Sequence, residues 1–178
     1  MLSYGSIYMA YSGKYIVKNR SKYSGDPDKV VYRSMWERHC FYWCDVTNSH
    51  NIKKWCSEEV VIPYFWDVDK RMHRYFMDLK ITFTNGKTLL VEVKPDKETR
   101  PPKRPDKSKR YINEAMTYVK NRNKWETAEV YAKDRGWSFE IWTEKHLTEM
   151  GIMPKQSKKG ALKKLKPLKP FRKKKTKK

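Results

Sequence analysis

Residues 73–94, HRYFMDLKITFTNGKTLLVEVK, carry the strongest structural signal in the chain. Apolar and polar residues alternate on both sides of Asn85-Gly86, and alternation with a period of two is typical of a strand with one buried face. An Asn-Gly pair between two such runs is the strongest short-range signal for a β-hairpin. The stretch therefore predicts two antiparallel strands that share one apolar face.

The length of the connecting loop decides which side chains face each other. A two-residue turn at Asn85-Gly86 would place Asp78 opposite Val93 and mix apolar with polar positions. A three-residue loop over 84–86 instead places Asp78 opposite Glu92, because a slip by one residue moves every side chain to the other face. That register aligns six apolar side chains, namely Met77, Leu79, Ile81, Leu89, Val91 and Val93. Each is worth ~1.5–3 kcal/mol when fully buried, whereas turn preferences amount to ~1 kcal/mol. We therefore predict the longer loop, with a positive φ at Gly86.

This register brings two carboxylates together on the second face of the hairpin. Asp78 would lie beside Glu92, with Lys94 two residues further along the same face. Neighbouring carboxylates repel unless a cation or a proton lies between them, and oxygen ligands suit Mg²⁺ or Mn²⁺. A metal there polarises a phosphoryl oxygen, and a lysine stabilises developing negative charge. The alternative is a surface patch in which Lys94 simply pairs with both acids, and spacing alone favours that alternative.

Capping residues, apolar spacing and breaks at proline or glycine predict the remaining elements. They are a helix over 34–45, a strand over 59–65, an extended loop over 95–107, helices over 108–122 and 123–136, a strand over 137–142, and a short helix after Thr143. This order predicts an α/β fold with a mixed β-sheet flanked by helices.

Charge divides the chain of 178 residues into two parts. Residues 155–178 hold twelve Lys, one Arg and no acid, whereas residues 1–154 keep a smaller basic excess within a total of +21. We expect 1–154 to form one domain and 155–178 to be a disordered or partner-ordered Lys-rich tail. A polyanion is the expected partner.

Several other classes of protein are excluded by what the sequence lacks. No run of apolar residues is long enough for a membrane span, so we expect no membrane contact. Three cysteines are too few and too close for a secreted disulfide scaffold. Cys40 and Cys44 could share a zinc ion, but without a second pair they are better explained as buried thiols. Neither a glycine-rich phosphate loop nor a serine-hydrolase motif occurs.

Asp78, the hairpin and Glu92-Val93-Lys94 together resemble the D…ExK signature of the PD-(D/E)xK nuclease superfamily. Within this superfamily, a glutamate on an upstream helix, here Glu37, resembles the arrangement in the TnsA-type endonucleases. A larger ordered set resembles the head completion nucleases of T-even-type contractile-tailed phages: Tyr11-Ser12-Gly13-Lys14, Gly25-Asp26-Pro27, Tyr32-Arg33-Ser34, Trp36-Glu37, Ile62-Pro63-Tyr64-Phe65, Arg74-Tyr75-Phe76-Met77-Asp78, Glu92-Val93-Lys94-Pro95 and Thr143-Glu144. The resemblance implies a restriction-endonuclease-like fold and metal-dependent cleavage of DNA.

The resemblance also implies roles for individual residues. Asp78 and Glu92 would hold Mg²⁺ or Mn²⁺, with the Val93 carbonyl as a further ligand, and Lys94 would stabilise charge or prime the attacking water. Glu37 would complete the site, although Ser34 and Glu37 also fit a helix capping box.

A cluster of basic residues follows Lys94, within and just after the proline-rich loop. We expect it to contact DNA phosphates without reading bases. Its members are Lys97, Arg100, Lys103, Arg104, Lys107, Lys109 and Arg110.

The expected partners are double-stranded DNA and the phage portal or neck proteins. The expected location is the head–neck region of the virion, and the host cytoplasm during assembly. The role implied is to finish the filled head after DNA packaging so that a tail can join. The alternative is a non-catalytic neck or portal protein that seals packaged DNA with a vestigial nuclease fold.

Deletion of residues 155–178 tests the expected role of the tail. Each phosphate contact releases counterions, so the truncated chain should show a flatter slope of log affinity for DNA against log salt. Cleavage at low salt should persist, because the proposed metal ligands lie elsewhere. An unchanged salt slope, measured by fluorescence anisotropy with a labelled duplex, would show that the tail does not bind the DNA backbone.

Overall fold

The computed structural model describes residues 11–103 and 108–154, which form eight strands and three α-helices. The strands are β1 (Gly13–Lys14), β2 (Val31–Tyr32), β3 (Ile52–Cys56), β4 (Val61–Trp66), β5 (Arg71–Phe76), β6 (Leu79–Phe83), β7 (Thr88–Val93) and β8 (Ser138–Trp142). The helices are α1 (Met35–Tyr42), α2 (Lys109–Lys133) and α3 (Glu144–Glu149). The main sheet has the order β3-β6-β7-β8, and β8 joins β7 in parallel while the other neighbours are antiparallel.

Helices cover the main sheet through two apolar cores, one on each face. The first core contains Trp36, Cys40 and Phe41 of α1, with Leu79, Ile81, Leu89, Val91 and Val93 of the hairpin. The second contains Trp125, Ala128 and Ala132 of α2, with Leu90 of the sheet and Ile62, Tyr64, Trp66 and Tyr75 of the β4–β5 hairpin. The predicted α/β class, a mixed sheet flanked by helices, is confirmed.

The β6–β7 hairpin has the predicted register. Leu79 pairs with Val91, and Phe83 N donates to the carbonyl oxygen of Lys87 at 2.8 Å, which leaves three residues in the loop. Gly86 has a φ of +86°, a backbone region that costs glycine little. The predicted loop length and the positive φ are both confirmed, since burial of the shared apolar face outweighs the local preference of the turn.

The first strand of the predicted hairpin is interrupted just before Asp78. Met77 N donates to the carbonyl oxygen of Val60 at 2.9 Å, so this part of the chain belongs to the β4–β5 sheet. The ladder with β7 begins only at Leu79. The predicted continuous first strand is therefore wrong at this point, and Asp78 lies just outside the ladder, next to the pair of Leu79 with Val91 that has the predicted register. The chain crosses between two sheets at this point.

Both faces of β7 are buried, which the alternating pattern did not predict. All six residues of the strand are buried, including Leu90 at 0% exposure. Leu90 and Met77 belong to the core under α2, so Met77 does not share the face of Leu79 as expected. The second face of β7 is thus a second interior, whereas Asp78, Lys80 and Thr82 on the facing part of the chain are half-buried.

One continuous helix of 25 residues replaces the two helices predicted over 108–136. The predicted start at Asn123 lies in the helix interior, where its carbonyl oxygen accepts a hydrogen bond from Thr127 Oγ1 at 2.9 Å. Neither glycine nor proline interrupts residues 109–135, so nothing stops the helix before Gly136. Trp125, Ala128 and Ala132 are buried and form the inner stripe of this helix.

Strand β3 was not predicted, because its pattern is irregular. Ile52, Trp55 and Cys56 are buried, but two exposed lysines lie between the first and second of them.

The segment before α1 is held to the body by Asp45. This buried carboxylate accepts hydrogen bonds from Tyr15 Oη at 3.0 Å and from two backbone N–H groups near residue 18.

The three cysteines are free and buried, as the thiol interpretation predicted. Within 11–103 and 108–154, no helix combines the length and apolarity that crossing a bilayer requires. The Lys-rich tail and residues 1–10 lie outside the described part of the chain.

Leu90→Ala tests the second core. Removing a fully buried leucine should lower the free energy of unfolding by about 2–5 kcal/mol. The matched control is Ile112→Ala on α2, where the side chain is 52% exposed and the expected change stays within about 0.5 kcal/mol. Urea denaturation measures both, and equal effects of the two substitutions would contradict this packing.

Candidate active site

Asp78, Glu92 and Lys94 meet where the β4–β5 sheet passes into the main sheet. Asp78 lies at the crossing between β5 and β6, Glu92 lies on β7, and Lys94 directly follows that strand. The register of β6 against β7 brings them together although 13 residues separate the two acids in sequence. The predicted trio is therefore one cluster in space.

Asp78 is held by the backbone of the neighbouring strand. Its Oδ2 accepts a hydrogen bond from Val93 N at 2.8 Å. Burial raises the pKa of the Asp78 carboxyl well above its usual range, and the negative charges of Glu92 and Glu37 raise it further. The site therefore favours a proton or a bound cation at Asp78.

Glu92 is held from two sides. It is only 3% exposed, its Oε2 accepts a hydrogen bond from Tyr75 Oη at 2.7 Å, and its Oε1 lies 3.1 Å from Lys94 Nζ. A buried carboxylate needs such partners, because an unpaired buried charge is costly. These contacts fix the orientation of the Glu92 side chain.

Lys94 is the cation of the cluster. Burial alone would lower its pKa, but the charges of Glu92 and Asp78 outweigh burial and raise the pKa above its usual value. Lys94 N also donates to the carbonyl oxygen of Trp142 at 3.1 Å, which fixes the backbone against β8. The ammonium group therefore stays charged beside the two acids.

Glu37 caps α1 and also lies close to the cluster. Its carboxylate accepts from Arg33 N at 2.8 Å and from Ser34 Oγ at 2.9 Å, while Ser34 Oγ accepts from Glu37 N at 3.1 Å. The structure thus gives Glu37 the capping role. Its charge still contributes to the raised pKa of Asp78, so Glu37 acts on the site electrostatically, and its role as a further metal ligand stays a prediction.

The donor set suits Mg²⁺ or Mn²⁺ better than zinc. In the described part of the chain, no three His, Cys, Asp or Glu side chains converge in a way that could hold an ion. Asp78 and Glu92 offer two hard oxygen donors, and Mg²⁺ is commonly bound by one or two carboxylates together with waters and substrate phosphates. Asp78 and Glu92 would therefore fit such an ion, with further positions left for water or phosphate.

The predicted DNA-binding residues border a groove next to the cluster. A cavity of about 640 Å³ lies between the loop after β7 and the start of α2. Its lining includes four basic residues, Lys97, Arg100, Lys103 and Arg110, and three acids, Asp96, Glu98 and Glu114. Lys109 begins α2 without lining this cavity. Arg104 and Lys107 lie outside the described residues.

Part of the positive charge in this groove is already paired. Arg100 lies 2.9 Å from Asp96, and Arg110 lies 2.9 Å from Glu114. Exposed pairs of this kind are weak and exchange readily with a phosphate. The groove can therefore accept a polyanion. Its unpaired positive charge is smaller than the number of lysines and arginines in this part of the sequence indicates.

Three further residues at the site were not assigned a role from the sequence. Tyr75 is the donor to Glu92, and Arg33 pairs with Glu58 at 2.5 Å beside Glu37. Lys124 of α2 is near enough for the charges of Glu92 and Lys94 to act on its pKa. Because Lys124 lies 30 residues beyond Lys94 in sequence, only the packing of α2 against the sheet places it there.

The fold and the D…ExK cluster define a nuclease domain of the PD-(D/E)xK type. The family model described as "TnsA-like endonuclease N terminal" matches residues 49–144. This region contains the crossing between β5 and β6, the β6–β7 hairpin and α2, but not Glu37.

A relative extends the likeness to the rest of the domain. The chain is 44% identical over 149 residues to the "Head completion nuclease" of Enterobacteria phage T4, which covers 81% of this chain and 98% of that protein. No solved structure matches the chain significantly. The chain belongs to the TnsA-like endonuclease family and to the head completion nucleases of T-even-type phages.

Asp78→Asn tests the electrostatic strain at the cluster. Because the folded-state pKa of Asp78 is raised, ionisation costs stability, and the wild type loses stability as pH rises from about 4 towards the folded pKa. In EDTA at pH 8 the variant should melt above the wild type, because the asparagine amide brings no negative charge into the cluster. The difference should vanish near pH 3.

The control is Asp67→Asn, whose side chain is 71% exposed in a weak pair with Lys70. Thermal melting followed by circular dichroism should show no comparable change for this variant. If Asp78→Asn melted at or below the wild-type temperature at pH 8, the cluster would not be strained.

Proposed function

We propose that this protein cleaves phosphodiester bonds in double-stranded DNA with Mg²⁺ or Mn²⁺, after packaging, so that the filled head can join a tail. The observation that carries the proposal is the cluster itself. Asp78 and Glu92 are close enough for the charge of Glu92 to raise the pKa of Asp78, and Lys94 Nζ lies 3.1 Å from Glu92. Such charged groups are seldom buried together without a function.

The residues of the cluster divide the work of binding and charge stabilisation. The Val93 N–H holds one oxygen of Asp78 and leaves Oδ1 for a ligand. The Tyr75 hydroxyl orients Glu92. When bound, the metal ion supplies positive charge for a phosphoryl oxygen and makes a coordinated water more acidic.

Lys94 supplies the hydrogen-bond donors of the site. Its raised pKa keeps it protonated at neutral pH, so it can donate to a non-bridging phosphate oxygen or hold the attacking water. Preorganised donors of this kind act in a region with little water, where they are worth more than in solution. The contact with Glu92 keeps the ammonium group in place before the substrate arrives.

Double-stranded DNA is the proposed substrate. The net charge of +21 and the basic groove beside Lys94 both favour binding to the phosphate backbone. We expect the lysines and arginines of the groove to contact phosphates and to position the duplex without reading bases.

The proposed role in assembly follows from the relative. The protein of phage T4 that matches this chain over 98% of its own length is named for head completion. We infer that this protein acts in the head–neck region of the virion, beside portal or neck proteins, and passes through the host cytoplasm during assembly. A protein that only seals DNA would not need Asp78, Glu92 and Lys94 in one cluster.

Lys94→Ala tests the proposed activity. In a supercoiled-plasmid assay with Mg²⁺ or Mn²⁺, we expect the wild type to nick or linearise the DNA. The variant should be slower by about 10²–10³-fold, as found when one preorganised charge-stabilising donor is removed. Lys87→Ala, at the exposed turn of the same hairpin, is the matched control and should cleave like the wild type.

Two outcomes would contradict the proposal. If folded Lys94→Ala cleaved as fast as the wild type, the cluster would not be the catalytic site. If the wild type cleaved nothing with either metal, the sealing protein with a vestigial nuclease fold would be the better account. A parallel reaction in EDTA should show no cleavage in any variant.

A further inference from the structure

Two lysines on α2 lie across the aromatic surface that leads to the active site. Lys120 Nζ is 5.7 Å from the ring centre of Trp66, and Lys124 Nζ is 5.2 Å from that of Tyr75. Tyr75 is the residue that donates to Glu92. The lysines are four residues apart, so they project from the same face of the helix one turn from each other.

Neither ammonium group has an acidic partner. Among the ion pairs of residues 11–103 and 108–154, none includes Lys120 or Lys124. Both side chains are only partly exposed. Like charges at this spacing repel each other, and a partly buried cation without a counter-charge is unfavourable. Contacts with aromatic rings offset only part of that cost.

The surroundings of Lys124 add to this imbalance. Burial lowers the pKa of Lys124, the charges of Lys94 and Lys120 lower it further, and the carboxylates of Glu92 and Asp78 oppose them. The catalytic cluster is therefore close enough for its charges to act on Lys124. A negatively charged group placed beside Lys124 would relieve the repulsion.

We propose that Lys120 and Lys124 form a second phosphate-binding site, which holds the DNA backbone against α2 next to Asp78, Glu92 and Lys94. The site rests on the proposed function, because it names the contact that positions the substrate. A rigid helix is suited to this task, since it presents both ammonium groups at a fixed spacing. The ammonium groups themselves lie over the rings of Trp66 and Tyr75, and these contacts place both charges on the surface where the ligand would bind.

The two lysines act as positioning residues. They fix a phosphate that is not the one being cleaved, and so set which bond reaches the catalytic cluster. Phosphate contacts of this type carry affinity and register without sequence information. The first part of the same helix lines the groove that carries the predicted DNA-binding residues, so both proposed phosphate contacts lie along α2.

Equilibrium binding without cleavage tests the site. Fluorescence anisotropy with a labelled duplex in EDTA compares full-length Lys120→Met, Lys124→Met and Lys124→Arg with the wild type. Methionine keeps most of the apolar stem over the rings but removes the charge. We expect each methionine variant to bind more weakly and to lower the slope of log affinity against log salt by about 0.9. Arginine should keep both values near those of the wild type.

Lys133→Met is the matched control, because it removes the same charge from the exposed last turn of the same helix. It should leave the affinity and the salt slope unchanged. Melting curves establish that each variant is folded. If Lys124→Met does not fold, the other two variants decide the result. Lys120→Met should then bind more weakly than the wild type, and Lys124→Arg should keep the wild-type affinity and salt slope.

The outcomes separate this inference from the proposed function. If folded Lys120→Met and Lys124→Met bind with wild-type affinity and salt slope, the lysines only pack on the aromatic rings and the inference is wrong. If the control loses as much affinity as Lys124→Met, only total charge matters, and the inference is again wrong. A wild type that binds through these lysines but cleaves nothing would overturn the proposed function alone.

Discussion

The ladder between β6 and β7 is the constraint on which the rest of the site depends. Its register is held by burial of Leu79, Ile81, Leu89 and Val91 in the core under α1. A slip by one residue would expose this apolar set and separate the two acids onto opposite faces. The same packing that stabilises the hairpin therefore brings Asp78 and Glu92 together, so stability and chemistry depend on one set of contacts.

The cluster at the end of this ladder is unfavourable by itself. Asp78 and Glu92 repel each other in a partly buried place, and Glu37 adds a third negative charge nearby. Lys94 is the only cation paired with these acids in the described chain. Such an arrangement costs stability, and proteins keep local conflicts of this kind mainly at functional sites. A metal ion at the acids and a phosphate at the surrounding lysines would relieve this imbalance, and both are components of the proposed reaction.

The hairpin, its loop and the α/β class follow from the sequence, because alternation and turn residues are local signals. The break before Asp78 could not be predicted, since it arises from a contact between Met77 and Val60 in another sheet. The single helix α2 was divided wrongly because Asn123 and Glu126 resemble a cap pair, although tertiary packing of Trp125 and Ala128 continues the helix. Tyr75 donates to Glu92 and Lys124 lies near the cluster only because the chain folds, so the sequence pattern identified the acids but not these two neighbours.

A crystal structure grown with Mn²⁺ tests the central claim most directly. The account predicts one anomalous difference peak within about 2.0–2.4 Å of a carboxylate oxygen of both Asp78 and Glu92, which is the range for hard cations on oxygen ligands. The same peak should be absent from crystals of Asp78→Asn. A wild-type structure with no manganese between these two side chains, and with Lys94 still paired to Glu92, would contradict it.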